Sequence, residues 1–315
     1  MGRILSNRQI VAVKAETTEG TAITLAGADA NVQILEPAKF ETNISLFKRE
    51  LLDLSFSKFK LIPGTRLATI SFKVENKGSG AAGTAPALGK LLKACGFGET
   101  VVASTSVTYA PISDLASISS VTVAIYQDGV RKQIKGARGS VSYSAKNGEP
   151  GMFEFTFLGV YDAVTDQTLL TPSGVETTVP VALLSATFSI ASFAAFCSQI
   201  TWDMANVLAP RPDINTAAGY ISTLITKRDP KGTFDPELEL VATHDFYGRL
   251  LAGTTGALTW KHPGSAGNIC TFNIPVCQYT KINDGDRDGI AISPVEFEMI
   301  RSAAGGNDEL SIAYT

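Results

Sequence analysis

Histidine is almost missing from this chain: its 315 residues include two, His244 and His262. Neither stands in an H-x-x-x-H or His–Cys spacing, so zinc sites and most general-base constellations lack their parts. Cysteine is nearly as scarce. Cys95, Cys197, Cys270 and Cys277 form no C-x-x-C pair, which excludes a disulfide scaffold and leaves reduced thiols as the expectation. Charged residues make up 18%, below the roughly 25% usual for globular domains. Such a surface either meets other protein or carries Thr and Ser in place of Lys and Glu. The net charge is −3 and no basic block runs along the chain. It therefore has no electrostatic footprint for gripping a phosphate backbone or an anionic membrane. The longest apolar-rich run, 181–196, is broken by Ser185, Thr187, Ser189 and Ser192 and cannot span a bilayer. The first twenty residues lack the apolar core of a signal peptide, so a soluble chain without a cleaved leader is expected.

Motifs that carry chemistry are absent too. There is no G-x-S-x-G, P-loop or dinucleotide fingerprint, and the Gly-rich stretch 78–83 has no Lys-Ser/Thr after it. Residues 284–289 spell D-x-D-x-D-G, the opening of a calcium loop, but the closing position is Val295 rather than Glu. Alternating segments flank it, so a hairpin turn is the expectation. The reading is a non-enzyme with no catalytic residues, no metal and no cofactor.

What the chain does have is period two. Residues 68–75, 121–126, 153–157, 236–240 and 295–299 alternate apolar and polar, the mark of antiparallel strands with one buried face. Two segments show helical spacing instead. Leu88, Leu91, Leu92 and Cys95 share one face, as do Tyr247, Leu250, Leu251 and Thr254. Pro86 and Gly96 bound the first, and Asp245 and Gly256 the second.

The two helices carry matching strings, GKLL at 89–92 and GRLL at 248–251. After each comes a strand, a polar turn and another strand, over 123–143 and 259–279, and then an apolar-Glu-Phe strand at 153–155 and 295–297. The expected fold is mainly β: two tandem copies of an antiparallel β-sandwich or barrel domain, each with one short flanking helix. The expected boundaries are an N-terminal arm at 1–36, a first domain at 37–162, a linker at 163–185 and a second domain at 186–315.

Several strings resemble phage major tail proteins, the tail tube subunits of long, non-contractile-tailed bacteriophages. They are KAETTEGT at 14–21, PALGKLLKACGF at 86–97 followed by YAP at 109–111, and IYQDG at 125–129 leading into GARG at 136–139. The resemblance is densest over 10–160. It implies β-sandwich-like domains that join edge to edge into rings, six domains to a ring, stacked into a tube through which DNA passes without specific binding. Two domains per chain then imply trimeric, pseudo-hexameric rings. It also implies self-association, tape measure, tail terminator and tail tip proteins as partners, no membrane, and a place in the virion tail after synthesis in the host cytoplasm. The alternative is a receptor- or carbohydrate-binding β protein of a tail tip, which needs clustered exposed aromatics.

Two sets of residues follow as candidates. Glu75, Glu154, Glu237, Glu239, Glu296 and Glu298 lie on polar strand faces, against Lys73 alone of opposite sign, and are expected to line a lumen. Glu154 and Glu296 are expected at matched positions. Phe47, Leu51, Leu52, Leu54, Phe56, Phe59 and Leu61 give 47–64 more apolar surface than a solvated loop should expose. That loop and the 1–36 arm are expected to dock on neighbouring copies and help stack rings.

Overall fold

The computed structural model describes residues 3–315. In the first half the strands are β1 (Gln9–Ala15), β2 (Lys39–Phe47), β3 (Ile62–Glu75), β4 (Phe97–Val102), β5 (Ser106–Pro111), β6 (Val121–Gln127), β7 (Val130–Lys146), β8 (Met152–Tyr161) and β9 (Thr165–Asp166). Helix α1 (Gly89–Ala94) lies between β3 and β4. The second half begins with β10 (Ser189–Ile190), β11 (Cys197–Asp203), β12 (Val207–Pro212), β13 (Tyr220–Lys227) and β14 (Lys231–Pro236). Then come α2 (Phe246–Ala252), β15 (Gly256–His262), β16 (Cys270–Ile282), β17 (Gly285–Arg287), β18 (Ile290–Ile292), β19 (Val295–Met299) and β20 (Ser311–Tyr314).

Sixteen of these strands belong to one antiparallel sheet, beside the two-stranded ribbons β12–β13 and β17–β18. Neighbours in the first half run β2-β3-β8-β7-β6-β1. In the second half they run β11-β14-β19-β16-β15-β10, the same order. The halves are nonetheless not separate sandwiches. Strand β7 outruns β6, and its free stretch 142–146 pairs with β11, which carries the sheet across the chain's midpoint. One apolar core serves both halves. At its centre Tyr143 and Phe153 meet Trp202, Trp260 and Phe272. Tyr143 stacks on Trp202 at 5.6 Å, and Trp260 on Phe272 at 4.7 Å.

Two β-bulges fix how the halves correspond. Between Val121 and Val123 the partner jumps from Ala137 to Ile134, and between Gly256 and Leu258 it jumps from Cys277 to Ile274. A bulge inserts one residue into one strand only, so aligning the two places Ala137 with Cys277. Following the ladders outward, the row Gly139-Phe157-Ile70-Phe40 then corresponds to Tyr279-Phe297-Gly232-Trp202.

Several expectations from the sequence are corrected. Of the expected 1–36 arm, the described residues 3–36 pack on their own chain: β1 adds to β6, and Ala12, Leu25 and Ala30 bury the far face of β6 at Ala124 and Tyr126. Residues 121–126 are consequently buried on both faces despite their alternation. Strand β14 ends at Pro236, leaving 238–240 outside the sheet. Helix α2 is capped by the Asp245 side chain and closed by Gly253, not Gly256. Of its expected apolar face Leu250 packs on the core, while Tyr247 and Leu251 stay in solvent, Leu251 at 92% exposed. Residues 284–289 do lie in a hairpin: they hold β17 and the Asp288-Gly289 turn that leads into β18.

All four cysteines are free thiols. Burial pushes Cys270 and Cys277 up to about 12. Cys197 rises as far, through burial and then the Asp235 charge.

Because the core is shared, heat or denaturant is expected to unfold both halves in one transition, read coincidently by Trp fluorescence and far-UV circular dichroism. Trp260→Ala should cost about 3–5 kcal/mol and leave that single transition intact. Two resolved transitions would show independent halves.

Candidate functional site

Period two sends the side chains opposite the core onto one polar face that crosses both halves. The ladders align a continuous cross-strand row: Lys73, Glu154, Ser142, Asp203, Lys231, Glu298 and Gln278. Beside it runs a second row: Glu75, Met152, Ser144, Thr201, Thr233, Glu296 and Lys281. All of them but Glu75, Gln278 and Lys281 line a groove of about 560 Å³.

Of the six glutamates expected on a common face, this brings together Glu75, Glu154, Glu296 and Glu298. Glu237 pairs with Arg287 at 2.8 Å beside the β17–β18 ribbon, and Glu239 lies beyond the end of β14. The matched pair is also revised, since the bulge register sets Glu296 against Thr156 and not Glu154. Nor is Lys73 the only cation. Lys231 and Lys281 join it, and Lys281 reaches Glu296 at 3.1 Å. Carboxylates still outnumber ammonium groups in the two rows, but the signs are interleaved. Sequence reasoning missed Asp203 and Lys231, because only the ladder across β11 and β14 brings them onto this face.

The second site is a pair of arms. The β12–β13 ribbon leaves the second half and lies over the first. Arg66 N donates to Ala218 O at 2.9 Å at its tip. Beneath it Arg138, 3% exposed, donates to Thr223 O at 2.7 Å and to Ile118 O at 2.9 Å. The ribbon's backbone can come this close because Gly136 has φ +56° and no Cβ, which would stand 2.8 Å from Ile221 O.

The string at 14–21 supplies two carboxylates to this contact. Glu16 accepts from Gly20 N, Gly136 N, Ser120 Oγ and Thr122 Oγ1. Glu19 accepts from Ser222 Oγ and pairs with Arg138 at 3.3 Å and Arg211 at 3.6 Å. Partial burial works against the charge on Glu19, yet the Ser222 hydrogen bond and Arg138 prevail and hold its carboxyl below the usual range.

The other arm, 43–66, touches little. Leu52, Leu54 and Phe56 are fully exposed at 104%, 105% and 108%, and Phe47, Leu51 and Leu61 are exposed as well. Phe59 alone of the expected apolar set is half-covered, by Arg49 at 5.9 Å. The tryptophans that a sugar-binding platform would display are both 1% exposed. Among the described residues no cluster of His, Cys, Asp and Glu could hold a metal.

The profile of the phage tail tube protein family matches residues 6–299. The chain belongs to that family. It is a structural, non-catalytic virion protein with a mainly β tail-tube fold, and its place is the phage tail. A search of the curated proteins finds no match. The match reaches across both halves, so the second half belongs to the tail-tube chain as fully as the first.

The Glu19 contact makes stability depend on acid. A carboxylate whose folded pKa lies below its unfolded value of about 4.3 stabilises fully above that value and loses its contribution as pH falls through the folded one. Glu19→Gln is expected to cost on the order of 1 kcal/mol or less at pH 7, since the site is solvent-screened. The gap from wild type should narrow at a second pH taken well below that unfolded value. Urea midpoints at the two pH values check it; an equal gap at both would rule out the charge.

Proposed function

We propose that the two halves are copies of one tail-tube domain and that three chains close a pseudo-sixfold ring. Stacked rings form the conduit for phage DNA, with the polar face turned inward. The observation that carries this reading is the strand order, repeated through six strands in each half and accompanied by matching bulges. In this reading the domain borders fall near 37–162 and 186–315, with 163–185 as linker. Residues 1–36 belong to the first domain.

The mixed, slightly acidic face suits a lumen. Each Lys or Arg bound to phosphate adds counterion-release affinity, which a conduit must avoid. Interleaving Lys73, Lys231 and Lys281 with carboxylates keeps any cation from acting alone, and carboxylate excess repels phosphate at close range. The Debye length of about 8 Å limits this to a lining effect. The exposed loop at 47–61 supplies apolar contact to further copies. The tape measure protein inside, and terminator and tip proteins at the ends, complete the set of partners. Synthesis in the host cytoplasm fits the reduced thiols.

A reconstruction of the assembled tube tests the whole reading. It is expected to show three chains per ring, with Glu154, Glu296 and Glu298 on the inner wall. Six chains per ring would overturn the stoichiometry. A net basic wall, or these glutamates on the outside, would overturn the lumen assignment.

A further inference from the structure

The bulge register shows that the two arms are counterparts. Thr42 corresponds to Met204 and Leu67 to Asp229, so 43–66 and 205–228 are insertions of equal length at the same place in the sheet. One lies folded on the other half of its own chain; among the described residues nothing outside the other arm covers its 47–61 stretch. We propose that 43–66 is a docking arm that takes, on the second half of a neighbouring copy in the same ring, the position that 205–228 takes within the chain. This rests on the tail-tube reading above and specifies its lateral contact.

The correspondence places the contact residue by residue. The tip of the docked arm, Ala218 and Gly219, rests on Arg66 and Thr65 at the base of the free arm. By the same register, Phe56 and Ser57 rest on Arg228 and Lys227 of the neighbour. Each arm thus ends on the base of the next, and the chain of arms closes around the ring. The footing also corresponds. Where Gly136 and Arg138 lie under the docked arm, the neighbour offers Val276 and Gln278, with half-exposed Ile300 in the place of Val160. Val276 and Ile300 give that footing the apolar surface that an apolar arm can meet.

This explains why the arms differ in chemistry while matching in length. The docked arm is joined to its target covalently, so polar latches through Glu19 and Arg138 suffice to place it. The free arm must offset the translational and rotational freedom lost when two molecules associate. It accordingly carries Leu52, Leu54 and Phe56 in full exposure, a concentration of apolar surface that marks an interaction site.

Two variants test the placement. Ser57→Cys with Lys227→Cys joins two exposed positions far from the core. On mild oxidation, assembled double variant is expected to yield covalent dimers and closed multimers, and neither single variant should do so. Tubes that form normally without cross-links would overturn the arm's placement and leave the tail-tube reading standing. Leu52→Ser with Leu54→Ser and Phe56→Ser should keep the wild-type melting temperature and lose ring formation at least tenfold in critical concentration. Unchanged assembly would count against the arm. Wild-type protein that stays monomeric at every concentration would overturn both readings.

Discussion

The architecture depends on one strand junction. Strand β7 is longer than its neighbour β6, and the surplus 142–146 offers an unpaired row of backbone donors and acceptors. Such an edge invites pairing with another chain. Here β11 of the same chain fills it and brings Trp202 onto Tyr143 as it does so. The polar face that crosses both halves exists only because this junction sets β7 and β11 side by side. Removing it would leave two sheets, each with a wet edge and half an aromatic core.

A second layer of control is polar. Glu16 satisfies two backbone amides and two hydroxyls, and Glu19 latches the β12–β13 arm through Ser222 and two arginines. A buried cation such as Arg138 contributes little net stability, because desolvation offsets most of its attraction. Its bonds to Thr223 O and Ile118 O do fix where the arm lies. The same logic holds His262. Its Nδ1 donates to Val181 O, so Nε2 is left to accept from Tyr143 OH, and burial keeps the ring neutral. This pins the segment before β10 to the aromatic core.

What the sequence reveals is local. Alternation marks β3, β8 and β19, and spacing marks both helices. Asp-Gly at 128–129 marks the β6–β7 turn, where both residues have positive φ. These signals arise within a few residues of chain. The tertiary facts do not. Nothing in 9–35 shows that it will cover the far face of β6, since Ala12, Leu25 and Ala30 are too sparse to show a period. The register of Glu296 against Thr156 depends on a bulge, and one extra residue moves a whole strand's partners. Equal segment length therefore misleads, as it does for Tyr143 and Tyr279. The lumen candidates were half legible: period two finds four of the six glutamates, but it cannot see Pro236 ending β14 or the lysines delivered by neighbouring strands.

The thiols show what burial means for a particle that must persist. Only a thiolate attacks a disulfide or reacts readily with oxidants. With Cys197, Cys270 and Cys277 all pushed up to about 12, almost none is ionised at neutral pH. In the proposed tube these thiols would recur with every copy of the chain. Thiols held in the un-ionised form exchange slowly, which disfavours bridges between copies.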